Sequence, residues 1–201
     1  AKRRRPIRNL IVTTKAFAAA ETLQSILPRL DKESVSIVVL CNGAISVKDE
    51  LLSALSSVPE KTNIELILAT TTHGAYQEYN EYDDMFRVVH AGVGKTFIEE
   101  HPSMSQLLDQ SGLNSKSVSS DEMMMLLWQK LAANCAINPL TALLKCENGA
   151  LLQPVPDQYP SIDDTLHEVS RVAIAVLGPG SDELSLTYDK LRSFVDNVIQ
   201  D

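Results

Sequence analysis

Lysine and asparagine recur at four-residue intervals in the stretch WQKLAANCAINPL, as Lys130, Asn134 and Asn138, among residues that are otherwise almost wholly apolar. On an α-helix four residues turn through about 400°, so the three would form a slowly drifting line on one face, roughly 12 Å long. An ammonium withdrawn from water gives up its proton more readily and can then serve as a general acid near neutral pH. Each carboxamide can both donate to and accept from a hydroxylated ligand. The same stripe would serve as a plain solvent face, but it lacks the Glu and Lys usual on exposed helices. Pro139 follows at once and has no N–H. Inside a helix it leaves the Cys135 carbonyl unpaired and bends the axis, which would shape a pocket wall.

These residues need a scaffold, and the first seventy positions supply one. LIVTT (Leu10 to Thr14), VSIVVLC (Val35 to Cys41) and IELILATT (Ile64 to Thr71) are short β-branched runs suited to a sheet covered on both faces. Between them, KAFAAAETLQSILPRL and SVKDELLSALSS have helical spacing, with Phe17, Leu23, Ile26, Leu27 and Leu30 falling roughly on one face of the first. The order β-α-β-α-β predicts a parallel, doubly wound sheet, in which ligands bind beyond the carboxyl ends of the strands. Three polar clusters fall at such ends: Thr13-Thr14-Lys15, Cys41-Asn42-Gly43, and the TTTHGA stretch from Thr70 to Ala75.

Further along, Phe86 to His90 and Thr96 to Ile98 flank Gly92 and Gly94 and suggest an antiparallel edge hairpin where the sheet ends. GVGKT at Gly92 to Thr96 lacks the first glycine of a Walker loop and reads as a strand connection. From Ser103 the pattern turns helical. Ser119…Glu122 and Ser161…Asp164 look like capping boxes, and Pro154, Pro156 and Pro160 mark a loop between helices. The expected division lies near residue 120, giving domains of 1–120 and 121–201.

Composition bounds the function. With 201 residues, 44% hydrophobic and 22% charged, the chain can bury a real core. A net charge of −8 argues against nucleic acid or an anionic membrane as partner. The basic run Lys2-Arg3-Arg4-Arg5 reads as a solvated edge with no assigned role. No apolar run approaches membrane-span length. Cys41, Cys135 and Cys146 form no CxxC, read as small buried hydrophobes, and suit a reducing compartment; the cytoplasm is expected, and the mitochondrial matrix also fits. No metal site is expected. His73 reads more readily as a satisfied loop histidine than as a base.

IVTTKA, CNG, TTTHGA, VVHAGVGKT and above all LWQKLAANCAINPLTALLKCENGAL resemble the corresponding parts of the 2-dehydropantoate 2-reductase (ketopantoate reductase) family, over about residues 10–152. The resemblance implies an α/β Rossmann-type partial sheet that binds NADPH, with an edge hairpin, followed by an all-α substrate-binding domain. It implies reduction of the 2-keto acid 2-dehydropantoate to pantoate. By position, Lys130 resembles the family's proton donor, and Asn134 and Asn138 the amides that hold the substrate's hydroxyl end. Asn42 matches an asparagine between nicotinamide ribose and substrate, and Lys15 a lysine of the cofactor cleft. A small-molecule keto acid is the expected partner, and a homodimer stays open.

The family also carries a G-x-G-x-x-G element ahead of these strands, and a serine and a glutamate in later helices; none is found in these 201 residues. The segment Glu183 to Gln200 resembles the helix before those later groups. The expectation is that the chain resembles the middle of a longer reductase and does not turn over alone. Two other functions compete: a reductase-like scaffold without catalysis, and a reductase of another 2-keto acid.

Overall fold

The computed structural model describes residues 5–56, 62–80, 85–153, 159–178 and 186–200. Lys2, Arg3, Arg4, Pro154, Pro156 and Glu183, singled out above, lie outside them. Contacts divide the chain into two compact units, Ala1–Met123 and Met124–Asp201.

In the first unit, β1 (Asn9–Val12), β2 (Ser34–Val39) and β3 (Asn63–Thr71) are parallel, with Val12 beside Val39 and Val39 beside Leu68. Val35, Ile37, Val38 and Val39 of β2 are all fully buried. A strand this apolar on both faces is stable only at the middle of a covered sheet, where each such side chain contributes roughly 1.5–3 kcal/mol. The covering helices are α1 (Ala16–Ile26) and α2 (Ala44–Leu55). Helix α2 buries Ala44, Val47, Leu51 and Leu55, spaced three and four apart.

Helix α1 departs from its expected face. Ala19 and Leu23 are buried, but Phe17 is 88% exposed. Six residues turn through about 600°, which sets Phe17 some 120° away from Leu23 around the axis. Past the helix a 3-10 turn, Leu27–Arg29, redirects the chain and buries Leu30.

Beyond β3, the described strands pair differently from the expected hairpin. The run at Phe86–His90 belongs to β5 (Met85–Gly92), which pairs antiparallel with β4 (Gly74–Asn80) as a separate two-stranded hairpin. The run at Thr96–Ile98 belongs to β6 (Thr96–Glu99), antiparallel to β3. Nor does the sheet end there: β7 (Ser115–Val118) runs parallel to β6, giving the order β1-β2-β3-β6-β7. Burial explains the choice. Thr96 and Ile98 are 1% and 0% exposed, and Ile98 packs with Val38, Ile67 and Ala69 against Met104 and Leu108 of α3 (Pro102–Asp109), whereas Phe86 and Val88 remain 69% and 72% exposed.

The helix expected from Ser119 is α4 (Ser120–Leu144), which runs on through Pro139. Ser119 Oγ accepts from the Glu122 N–H at 3.2 Å, while the Glu122 carboxylate takes Lys116 Nζ at 2.8 Å. At the far end Lys145 turns left-handed, with φ of 53°, and the Cys146 N–H returns to the Thr141 carbonyl at 3.2 Å, a Schellman closure on a non-glycine residue.

The remaining helices of the second unit are α5 (Ile162–Leu177) and α6 (Tyr188–Gln200). Ser161 and Asp164 form the full reciprocal capping box of α5. Leu166, Leu191 and Val195 are wholly buried, and the buried Ser170 hydroxyl donates to the Leu186 carbonyl at 2.9 Å. On the outside, the Tyr188 hydroxyl donates to Asp163 at 2.7 Å, and its ring stacks on His167 with centroids 3.9 Å apart.

Candidate functional site

The candidate residues fall in two sets, one in each unit. In the first, β1 and β2 end side by side, joined by the Leu40 N–H donating to the Val12 carbonyl at 2.9 Å. Each strand then enters a helix at once. Lys15 is the N-cap of α1, with its side chain exposed, and Gly43 is the N-cap of α2, directly after the exposed Asn42. Gly43 has φ of 76°, a conformation that costs a side-chain-bearing residue strain, and no atom lies within 4 Å of where its Cβ would be. The Lys15 side chain does not bond its helix, Gly43 has none to do so, and neither first turn holds an acidic residue. The first amides of both helices therefore present positive potential, which favours anionic or hydrogen-bond-accepting ligands.

Thr14 adds a further signal. Its hydroxyl oxygen is buried and has no hydrogen-bond partner among the described residues. Such an orphan is costly unless something satisfies it. Sequence reasoning grouped Thr14 with a common helix start and had no means of seeing that its oxygen would be enclosed.

The TTTHGA and GVGKT stretches prove to be one interlocked corner. The Thr72 N–H donates to the Lys95 carbonyl at 2.9 Å, and the Lys95 N–H donates to Thr72 Oγ1 at 2.9 Å. His73 Nδ1 accepts from the Gly94 N–H at 3.1 Å, which puts the ring proton on Nε2, facing the Leu113 carbonyl at 3.0 Å. His90 Nε2 lies 3.0 Å from the same Nδ1 and donates to it. His73 is thus a satisfied loop histidine with neither ring nitrogen left for proton transfer. The Gly94 and Lys95 amides are committed to protein acceptors and do not form a phosphate loop.

His101, which sequence reasoning passed over, sits among groups that superficially resemble a serine–histidine–carboxylate relay. Its Nε2 is 2.9 Å from Glu65 Oε2 and 3.4 Å from Ser36 Oγ. Its Nδ1, however, accepts the Met104 N–H at 3.1 Å as the N-cap of α3, so the ring proton is on Nε2 and points at Glu65. No lone pair remains to take a proton from Ser36, and both partners stand near the amino ends of their strands. The cluster is a helix cap.

In the second unit, α4 arranges Lys130, Asn134 and Asn138 in line, with Asn138 Nδ2 donating to Asn134 Oδ1 at 3.4 Å. Lys130 and Asn134 are half-buried and Asn138 is exposed. The drift of the helix accounts for the gradient. Ala133, Ala136, Ile137 and Leu140 define the buried arc, and Lys130 stands about 20° from Ile137, at the arc's border. Each four-residue step then turns about 40° further out. The stripe therefore starts at the margin of the core, where an ammonium is partly desolvated, and does not run down the middle of a solvent face. Trp128, on the same helix, is 8% exposed, and its indole nitrogen has no hydrogen-bond partner among the described residues.

Among the described residues no group of three or more His, Cys, Asp and Glu is placed to hold a metal ion. No described helix is long and apolar enough to cross a membrane.

Residues 1–103 match the family model for ketopantoate reductase PanE/ApbA, and residues 122–200 match the model for the ketopantoate reductase PanE/ApbA C terminal. The chain is 32% identical over 197 residues to the 2-dehydropantoate 2-reductase of Vibrio cholerae serotype O1, covering 95% of this chain and 59% of that protein. Among solved structures, a 2-dehydropantoate 2-reductase from Porphyromonas gingivalis W83 superposes with a TM-score of 0.71 at 13% identity, over 98% of this chain and 63% of that one. A D-mandelate dehydrogenase solved with NADH and anilino(oxo)acetate gives 0.69 at 18% identity, over 99% of this chain and 59% of the other. The structural likenesses are likenesses of fold.

Proposed function

Because the chain belongs to the ketopantoate reductase family, we propose that it serves as a 2-dehydropantoate 2-reductase, reducing the keto acid to (R)-pantoate with NADPH in the synthesis of pantothenate. The observation that carries the reading is the α4 stripe: a half-buried lysine in line with two carboxamides that bond one another. Residues 1–120 would bind the cofactor and residues 121–201 the substrate.

The carboxyl edge of the sheet fits a nicotinamide dinucleotide in its donor chemistry. The orphaned Thr14 hydroxyl, the open space at Gly43 and two helix starts without acidic side chains suit a polar, anionic ligand. Lys15 would pair with its negative charge, and Asn42 would hydrogen-bond where ribose and substrate meet. When bound, NADPH supplies the hydride that converts the keto carbon to a secondary alcohol.

The protein's own groups handle the oxygen and the fit. Lys130 Nζ donates a hydrogen bond to the keto oxygen and delivers the proton that oxygen needs as its negative charge grows. Partial burial at the margin of the core strengthens that interaction over its value in water. Asn134 and Asn138 hold the hydroxyl at the other end of the substrate, and their mutual bond sets the direction in which each amide points.

The test is Lys130→Ala in the complete enzyme. The kcat for 2-dehydropantoate-dependent NADPH oxidation should fall roughly 10²–10⁴-fold, while the Kd for NADPH should change little. Unchanged kcat would remove Lys130 from the chemistry. Faster reduction of a 2-keto acid lacking the hydroxyl end would reassign the substrate. No reduction of any 2-keto acid by the unsubstituted enzyme would favour a scaffold.

A further inference from the structure

Eight of the eighteen Lys and Arg residues stand among the first 32 positions, with two carboxylates beside them, in a chain of net charge −8. The fold gathers part of this charge around a cleft. The segment leading into β1 is clamped to the turn ahead of β2: the Ile7 N–H donates to the Arg29 carbonyl at 2.8 Å, and the Asp31 N–H to the Ile7 carbonyl at 2.8 Å. Ile7 and Leu30 complete a parallel bridge. Arg5, Pro6 and Arg8 then form one wall and Pro28 to Glu33 the other, around a cavity of about 480 Å³. That size lies within the roughly 300–1,000 Å³ of small-molecule sites.

The charges in the cleft are unequally matched. Asp31 accepts from Arg8 Nε at 3.0 Å and from the Glu33 and Ser34 amides at 2.9 and 3.4 Å. Those bonds hold its carboxyl below the usual range, so Arg8 and Asp31 neutralise each other. Arg5, Arg29 and Lys32 have no ion pair among the described residues. Glu33 is the one further carboxylate in the lining, which leaves a positive excess. The cleft opens at the amino ends of β1 and β2, and the proposed cofactor edge lies at their carboxyl ends, roughly 17 Å away at about 3.3 Å per residue along β2.

We infer that this cleft binds a phosphate-bearing small molecule, with the phosphate held by Arg5, Arg29 and Lys32 and its organic part against Pro6, Pro28 and Leu30. Guanidinium groups match phosphate oxygens as two-pronged donors, and the backbone clamp fixes the two walls before any ligand arrives. A half-open cleft of this size, with basic groups on both of its walls, suits a small phosphate ester better than the extended backbone of a nucleic acid. The site is independent of the reductase reading.

Calorimetric titration of the chain with inorganic pyrophosphate, and separately with adenosine diphosphate, tests it. Both should bind saturably, and tighter binding of the diphosphate nucleoside would show that the apolar wall contributes. Arg29→Gln/Lys32→Gln should weaken binding roughly tenfold or more, and Arg5→Gln should weaken it less. Lys48→Gln/Lys116→Gln, which removes as much charge elsewhere in the same unit, should leave it unchanged. All five positions are exposed or at the surface, and circular dichroism of each variant checks its folding. The inference is overturned by absence of saturable binding of both probes, by equal affinity in the Arg29/Lys32 variant, or by equal weakening in the control. It is also overturned if a short single-stranded RNA binds while neither probe does.

Discussion

Gly94 passes so close to Thr72 that a Cβ added to the glycine would lie 2.4 Å from the Thr72 carbonyl carbon and 2.5 Å from the His73 nitrogen. Both atoms belong to the peptide bond between Thr72 and His73, which has no flexible end to yield. Gly94→Ala must push the β5–β6 connection off β3 and break the Thr72–Lys95 bonds, and should cost roughly 1–3 kcal/mol or more. Gly149→Ala, with no atom within 4 Å of its Cβ, is the control and should be nearly neutral. Urea denaturation of the two variants measures the difference.

Acid should destabilise the protein through Asp31 and Asp164. The Glu33 amide, then the Arg8 guanidinium, hold Asp31 low; the Ser161 hydroxyl and amide hold Asp164 low. A folded-state value depressed below the unfolded one contributes stability that is present above the ordinary carboxyl pKa of about 3.9 and is lost as pH falls through the folded value. Thermal midpoints should therefore be flat from about pH 7 to 5 and fall below about pH 4. Asp31→Asn should flatten that acid limb; an unchanged slope would mean that Asp31 contributes nothing to it.

On the alkaline side the sign reverses. Hydrogen bonding to Asp163 raises the Tyr188 phenol above its ordinary value. Its contribution is present below an unfolded pKa of about 10 and disappears as pH rises through the folded value. Tyr188→Phe keeps the stack on His167 and loses only the hydroxyl bond, so it should cost at most about 1 kcal/mol at neutral pH. The wild type and the variant should converge in stability at high pH, which melting curves at several pH values can follow.

Ser161→Ala removes the hydroxyl half of the α5 capping box, the bond from the Asp164 N–H, and keeps the half in which the residue 161 backbone N–H donates to the Asp164 carboxylate. The loss should be about 1 kcal/mol, and Ser161→Asp should recover most of it. Equal stability of all three proteins would show that α5 is held by packing alone.

Asn138→Ala and Asn134→Ala should act on substrate binding more than on the chemical step. KM for 2-dehydropantoate should rise roughly tenfold or more for each, because a buried or ligand-facing amide is worth about 1–3 kcal/mol. The two effects should be non-additive, since each amide orients the other across 3.4 Å. Additive changes in kcat would contradict the role.

Much of the first unit was legible in its periodicities. Ser34–Val39 and Ala44–Leu55 follow from local pattern alone, because a strand buried on both faces and a helix with one buried stripe each leave a distinct signature. The pairing of Thr96–Glu99 was not legible. Strand runs beside glycines look alike whether they fold on one another or on a distant edge, and only the buried surface around Ile98 decides between the two. Phe17 misled for a related reason: an aromatic side chain near a helix start counts toward the apolar face until its angle is measured against the residues that actually pack.

The sequence by itself determined the four-residue spacing of Lys130, Asn134 and Asn138, since any α-helix sets such residues in line. It also determined the family through its motifs, and the asymmetry of charge toward the first 32 positions. Tertiary structure alone decided that the stripe begins at the margin of the core, that Thr14 carries an enclosed and unpaired oxygen, that His73 and His101 are tied into the scaffold, and that Arg5 and Arg29 face a common cavity. The division has one physical cause: spacing along a chain is local, whereas burial and the pairing of polar atoms depend on segments far apart in sequence that folding brings together.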